Sequence, residues 1–416
     1  MKKIILTLLA VGLYSASSFA QSNVTAYGVM DLSYVGGNTF SVANGTATKA
    51  TGNVFTESAE STSRLGFRGQ EDLGGGTSAF FTVEVALAPN STSGISTATT
   101  ANRQSFLGLK KTGVGDFAVG TQYTPIFNSV FKTDPGQANN MLGDVIYTRN
   151  SLSPSFTVAT GTGAASGNEN NISFTPRAQS ALTLNSDVIS GFQGHAMIIL
   201  NNSNSTQTTT VSGPTTTVTG GTSNQNGLGL AADYTWKKLF LTASWMGLKA
   251  TNAYTLNSTT GAYSAGNPVM FGLNGANSLG TNVRDTQAYV GGSYDLDIIK
   301  VYAGWVSRKV SAEQEPNYFV KRQAEQVGFR GFFTPTIEGW ASAGIGRYTG
   351  YGVGQPTANF NGWQLGSNYW FSKRTNLYAI AGGQNTNTYS TVNNGVVSGG
   401  NSVNINGYAL GVRHTF

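Results

Sequence analysis

The chain has 416 residues, of which only 11% are charged, with 54 glycines, 10 prolines, no cysteine and a formal net charge of +6. Soluble domains carry about 25% charged residues, so a water-exposed surface of the usual kind fits poorly, and a secreted chain without cysteine is held by packing or by a closed hydrogen-bond ladder. The basic excess is small and its Lys and Arg residues do not cluster among aromatics, which excludes nucleic acid as a partner.

Residues 1–20 read as a secretory signal. Lys2 and Lys3 form the positive end, Ile4 to Leu13 the apolar run, and Ser18-Phe-Ala20 the cleavage region, with cleavage expected after Ala20. That cleavage lowers Lys plus Arg from 25 to 23 against 19 acids, a mature charge of +4. No later stretch approaches 18 uninterrupted apolar residues, so no helical span is expected.

Residues 21–416 read as one domain built on one pattern, segments of about ten residues that alternate apolar and polar and often end in an aromatic. The first is 24–35, followed after a Gly/Thr/Asn-rich stretch by 63–70. Glu71-Asp-Leu-Gly-Gly-Gly76 turns into 78–88, and 101–110 returns. Thr112-Gly-Val-Gly115 turns into 116–121. A long connection, 122–176, precedes 177–185. Later tight turns are expected at 190–191, 236–238, 295–297, 334–336 and 372–375, and long loops near 201–226, 249–283, 309–320, 349–359 and 386–402. The Thr/Ser/Asn/Gly tract 201–226 reads as a solvated loop. The count is sixteen strands. An even number puts both ends on one side, with short turns toward the periplasm and long loops outside. Sixteen strands enclose water, whereas eight are filled by side chains.

The tail closes the pattern. Tyr408, Leu410, Val412, His414 and Phe416 share one face, and Gly407, Ala409, Gly411, Arg413 and Thr415 the other. A strand that ends on an aromatic fits a barrel whose last strand pairs with its first and leaves no edge. The expected fold is therefore an all-β, antiparallel transmembrane β-barrel.

Parity also places the charges. Arg64, Arg68 and Gln70 oppose Leu65 and Phe67, and an arginine on the lipid face near the midplane would cost about 2–4 kcal/mol, so Arg64 and Arg68 face the lumen. Arg103 is expected there too, although Leu107 and Leu109 spoil its alternation, and Arg177 opens the strand after the long connection. Tyr123-Thr-Pro-Ile-Phe-Asn-Ser-Val-Phe131 is too apolar for a free external loop and is expected against the inner wall, with Asp134-Pro-Gly136 as a turn that presents a carboxylate. Arg284, Arg308, Arg322 and Arg330 read as ordinary wall residues, or as an arginine ladder if the channel is substrate-specific. Of the two histidines, His414 shares parity with the lipid-facing residues and His195 lacks an obvious acidic partner, so no catalytic site is expected. No metal or cofactor pattern stands out. Glu71-Asp72, Glu57 and Glu60 read as turn and loop charges.

Several stretches together resemble the general bacterial porins of the β-proteobacterial and neisserial type. They are Val24-Thr-Ala-Tyr-Gly-Val-Met-Asp31, Ser63-Arg-Leu-Gly-Phe-Arg-Gly-Gln-Glu-Asp-Leu-Gly-Gly-Gly76, Asn102-Arg-Gln-Ser-Phe-Leu-Gly-Leu109, Val119-Gly-Thr-Gln-Tyr-Thr-Pro125, Tyr369-Trp-Phe-Ser-Lys-Arg-Thr-Asn-Leu-Tyr378 and the tail. The resemblance implies a 16-stranded barrel in the bacterial outer membrane, a homotrimer, and a third external loop folded into the lumen as a constriction. It implies wall arginines, here Arg64, Arg103 and Arg177 with Arg68 nearby, opposite an acid of that loop, Asp134 or instead Asp144. The Pro-Glu-Phe-Gly-Gly signature of that loop is absent, and a basic residue of the first strand in some members corresponds to Val29. The expected function is passive diffusion of small hydrophilic solutes and ions with modest anion preference. A channel for small organic anions is the alternative, and a structural or adhesive barrel a more remote one. Tyr408 and Phe416 match the barrel-closure and assembly signal, which implies outer-membrane lipid, the barrel-assembly machinery and periplasmic chaperones as partners.

Overall fold

The computed structural model describes residues 23–43, 45–91, 94–95, 102–148, 172–212, 215–251, 282–313, 317, 319–351, 358–393 and 396–416. The expected signal segment 1–20 lies outside the described residues. Alternation becomes strand almost everywhere. In chain order the strands are β1 (Asn23–Ala43), β2 in two pieces (Thr46–Glu57 and Arg64–Gly74), β3 (Thr77–Ala88), β4 (Asn102–Lys111), β5 (Gly115–Tyr123) and β6 (Arg177–Ser186). There follow β7 (Phe192–Ser212), β8 (Thr215–Trp236), β9 (Leu239–Thr251), β10 (Val283–Asp295), β11 (Ile299–Ala312), β12 (Phe319–Phe332), β13 (Ile337–Tyr351), β14 (Ala358–Ser372), β15 (Thr375–Asn393) and β16 (Val396–Thr415). Gly94–Ile95 adds a two-residue pairing at the end of β3. Each strand pairs antiparallel with the next, and β16 returns to β1 from Val29↔Thr415 to Val42↔Ser402. The ring is a closed 16-stranded barrel, as expected.

One face of each strand carries exposed apolar side chains: Leu107 and Val119, Leu228 and Leu230, Val327 and Phe329, Trp363 and Leu365, Leu410 and Val412. The residues between them are polar or buried, such as Asp233, Gln326 and Gln364. An apolar exterior and polar interior is the arrangement that lipid outside and water inside impose. Phe192 lies over Tyr234 at 4.3 Å, and Tyr369 meets Phe371 at 5.2 Å, near the short turns where an interfacial girdle belongs.

The expected tight turns fall at the strand junctions. The loops differ. The strands on both sides of 201–226 run on to Ser212 and from Thr215 as a paired ribbon, and β15 and β16 likewise continue through most of 386–402. Thr, Ser and Asn pair well across strands but leave no apolar face, so the pattern that marks a membrane strand is missing there. The loop near 249–283 lies mostly outside the described residues.

β2 is broken at 58–63, where Ser58 takes a left-handed φ of 68°. The detour is tied to the first strand. The Asp31 carboxylate accepts from Glu60 N at 2.9 Å and Ser61 N at 2.6 Å, and Ser63 Oγ accepts from Asp31 N at 3.0 Å. Glu60 is buried, not a loop charge: its carboxylate accepts from Asn376 at 3.0 Å and lies 3.4 Å from Arg413.

After β5, Thr124 caps the helix α1 (Pro125–Thr133), accepting from Phe127 N, and Pro125 sits at the first turn where its missing N–H costs nothing. Ile126, Ser129, Val130 and Thr133 form its buried stripe. The segment 124–148 bonds to well-separated strands. Lys132 reaches Asp233 of β8 at 2.5 Å, and Thr133 meets Tyr289 of β10 at 2.7 Å. Val145 N donates to Gln326 of β12 at 2.9 Å, Asn139 and Gln364 of β14 exchange amide bonds, and Asn140 N donates to Ala59 O of the β2 detour at 3.0 Å. The segment thus ties four strands of the ring and the β2 detour together. Its apolar residues Ile126, Val130 and Val145, together with Phe174 from just before β6, pack in one cluster with Met197, Met246, Tyr289 and Phe360 of the wall.

Candidate functional site

Arg64 and Arg68 sit on the β2 face opposite Phe67, as parity predicts. Arg64 pairs across to Val29 and Ala86, and the Arg68 guanidinium lies 5.3 Å from the centre of the Tyr27 ring. Arg103 reaches the same region by a route that strict alternation forbids. The register between β3 and β4 slips from Glu84↔Gln104 to Val85↔Asn102, which leaves Arg103 as the extra residue of a β-bulge. The bulge re-aims its side chain inward, and this is why Leu107 and Leu109 disagree with it.

The arginines converge on a carboxylate that the sequence reading did not select. Glu84 accepts from Arg103 Nε at 2.6 Å and from the Tyr27 hydroxyl at 3.0 Å, and lies 3.7 Å from Arg64 Nε. Arg103 Nη2 also donates to the Tyr123 hydroxyl at 2.6 Å, and Arg177 lies 5.9 Å from the centre of that ring. Arg64 and Arg103 therefore share one acid, and Arg68 and Arg177 adjoin them through the Tyr27 and Tyr123 rings. Glu84 was legible: a lone acid in Phe80-Phe-Thr-Val-Glu-Val-Ala-Leu87 must face away from lipid for the same reason as Arg64.

Asp134 and Asp144 are placed elsewhere. Asp134 is buried and accepts from Ala138 N at 2.6 Å and Gln326 Nε2 at 3.2 Å. Asp144 caps the backbone N–H groups of Ile146 at 2.7 Å and Tyr147 at 2.8 Å. Burial first, and the neighbouring Asp144 second, holds the Asp134 carboxyl well above the usual carboxylate range, toward its neutral form. Both carboxylates accept from backbone N–H groups, Asp134 also from the Gln326 amide, whereas Arg64 and Arg103 pair with Glu84 of β3.

Three of the four remaining wall arginines act as clamps. Arg322 is fully buried and donates to Val145 O and Ser173 Oγ, both at 2.7 Å, with its guanidinium 4.4 Å from the centre of the Phe360 ring. Arg330 donates to Pro135 O at 2.9 Å and forms a two-pronged pair with Glu338 at 2.6 and 2.7 Å. Arg308 and Asp285 pair at 2.6 Å with no side-chain exposure. Arg284 is exposed, 3.6 Å from Glu313. His195 does have an acidic neighbour: its Nε2 lies 3.3 Å from Asp233, which also holds Lys132. No group of three or more His, Cys, Asp or Glu residues able to hold a metal occurs among the described residues.

Comparison with known proteins agrees with this geometry. The profile of Gram-negative porins matches residues 6–389. Among curated relatives, the major outer membrane protein P.IB of Neisseria meningitidis is 36% identical over 134 residues, 32% of this chain and 36% of that protein, and its Neisseria gonorrhoeae counterpart 29% identical over 140 residues, 34% and 38%. The aligned part thus spans little more than a third of those relatives. Among solved structures, an anion-selective porin from Comamonas acidovorans superposes with a TM-score of 0.65 at 19% identity, over 95% of this chain and 100% of that one. Salmonella typhi OmpF in complex with daunomycin gives 0.54 at 16% identity, over 94% and 97%. At these identities the structural likeness speaks for the fold.

Proposed function

The chain belongs to the Gram-negative porin family, and from that premise we propose that it forms a water-filled channel in the bacterial outer membrane for passive diffusion of small hydrophilic solutes and ions. The observation that carries the reading is a closed 16-stranded wall with an apolar outer face and, on its inner face, the segment 124–148 beside the arginine cluster. No bond is made or broken. Solutes are sorted by the width that the inner segment leaves and by the field of its surroundings, which is strong where little water screens it.

The charge preference follows from the inventory. Arg64 and Arg103 share Glu84, Arg68 and Arg177 lie against the adjoining Tyr27 and Tyr123 rings, and Asp134 is shifted toward its uncharged form. A positive ring favours anions, and the shared carboxylate keeps the preference modest. These four arginines are the proposed constriction residues. Asp134 and Asp144 are proposed to shape the inner segment rather than to supply its charge. The chain acts as a homotrimer in this reading, with β16 and its aromatics Tyr408 and Phe416 as the signal read during assembly. A channel dedicated to organic anions would need free arginines along the wall. Arg308, Arg322 and Arg330 are spent on Asp285, the inner segment and Glu338. Swelling of liposomes containing the purified protein tests the general channel: uptake of sugars should fall smoothly with size, and uptake restricted to one solute class would overturn it.

A further inference from the structure

Resting on the channel reading, we infer that the inner helix carries a stacking track for planar aromatic carboxylates. Tyr123 and Phe127 lie nearly parallel, centres 4.3 Å apart at 17°, and Phe131 continues the stack at 6.2 Å and 25°. Tyr123 ends β5, and Phe127 packs against the core cluster and edge-on to Tyr147 at 6.0 Å, so Phe131 is the ring of the three that the helix leaves open. The side that anchors the helix is a different one, formed by Ile126, Ser129, Val130 and Thr133. Phe131 keeps 50% of its surface exposed, on a segment whose surroundings are the inner wall. Packed on one side by Phe127, the Phe131 ring leaves a flat apolar face open.

The track begins at the arginines. Arg103 donates to the Tyr123 hydroxyl at 2.6 Å, Arg177 lies 5.9 Å from the centre of that ring, and Arg64 stands on the other side of Glu84. Arg103 and Arg177 are themselves buried, so a solute with a carboxylate at one end and a flat ring at the other meets Arg64 or the exposed Arg68 and then the π-face of Phe131. Aliphatic carboxylates of equal charge meet only the first. Stacking between rings at these separations favours the aromatic solute roughly two- to tenfold.

The test is a planar-bilayer measurement on the whole protein, with potassium benzoate on one side and potassium cyclohexanecarboxylate on the other. The two anions share charge and approximate size, and the reversal potential gives their permeability ratio directly. The expected result is a ratio favouring benzoate in the native chain, retained in Phe131→Tyr and brought toward one in Phe131→Ala, a substitution that suits an exposed helix position. A channel that conducts chloride with a ratio near one, or a ratio unchanged in Phe131→Ala, overturns the track alone. Absence of any channel overturns the reading beneath it and the track with it.

Discussion

Glu84 sets the electrostatics of the wall on which Arg64 and Arg103 meet. Replacing Glu84 with Gln keeps the shape and removes the counter-charge. One unit charge about 4 Å from a permeating ion is worth about 1 kcal/mol in water, close to fivefold in a permeability ratio. Chloride preference should rise by up to that factor, read as a shift of the reversal potential in a KCl gradient; an unchanged potential would place Glu84 away from the ion path. A second residue-scale prediction concerns Asp285. Asp285→Ala leaves Arg308 buried without its counter-ion, which costs about 3–5 kcal/mol. Denaturant unfolding of the detergent-refolded barrel should show that loss, and a shift below 1 kcal/mol would contradict the burial of the pair.

At the scale of elements, the segment 124–148 is fastened by Arg322, Arg330, Gln326 and Gln364, and Asp134 makes that fastening depend on pH. The folded-state value of Asp134 lies above its unfolded one. Its contribution to stability is therefore complete below the ordinary carboxylate range and is lost as pH rises through the folded value. Asp144 is the titratable neighbour that raises it, Tyr289 and Tyr302 interact with it, and Arg330 donates to the adjoining Pro135 O. Amide exchange in 134–148, corrected for its intrinsic pH dependence, should speed up as pH rises, and Asp134→Asn should flatten that rise; equal slopes in both proteins would refute the role. Much of this level was legible beforehand. The aromatics of 123–131 marked the segment for burial, and glycine and aspartate marked the turn at 71–76. The inward turn of Arg103 was not legible, because a bulge inverts parity without leaving a residue type as its sign. The carboxylate facing the arginines was sought in the loop through family likeness, although the lipid argument applied to Arg64 already pointed at Glu84. The ribbons beyond 200 and 386 were missed because Thr, Ser and Asn dominate there and the few apolar residues form no alternating face.

For the molecule as a whole, closure is the decisive event. Gly28 and Phe416 exchange backbone hydrogen bonds, both at 3.1 Å, and a Cβ on Gly28 would come within 2.3 Å of the Phe416 ring. The last residue therefore locks the seam that the tail pattern announced, and the exposed Phe416 ring belongs to the outer girdle. Phe416→Ala keeps the backbone pairing and removes the ring. We expect slower assembly in cells with a near-normal barrel once folded, seen as a reduced heat-modifiable fraction at early times; unaltered assembly would remove the terminal ring from the signal. The central claim is a water-filled passage narrowed beside an arginine-rich wall. Its most direct test is planar-bilayer recording of the purified native protein across a KCl gradient. The account predicts open channels that appear in steps of three and a reversal potential modestly displaced toward chloride; a strong preference for potassium would contradict it.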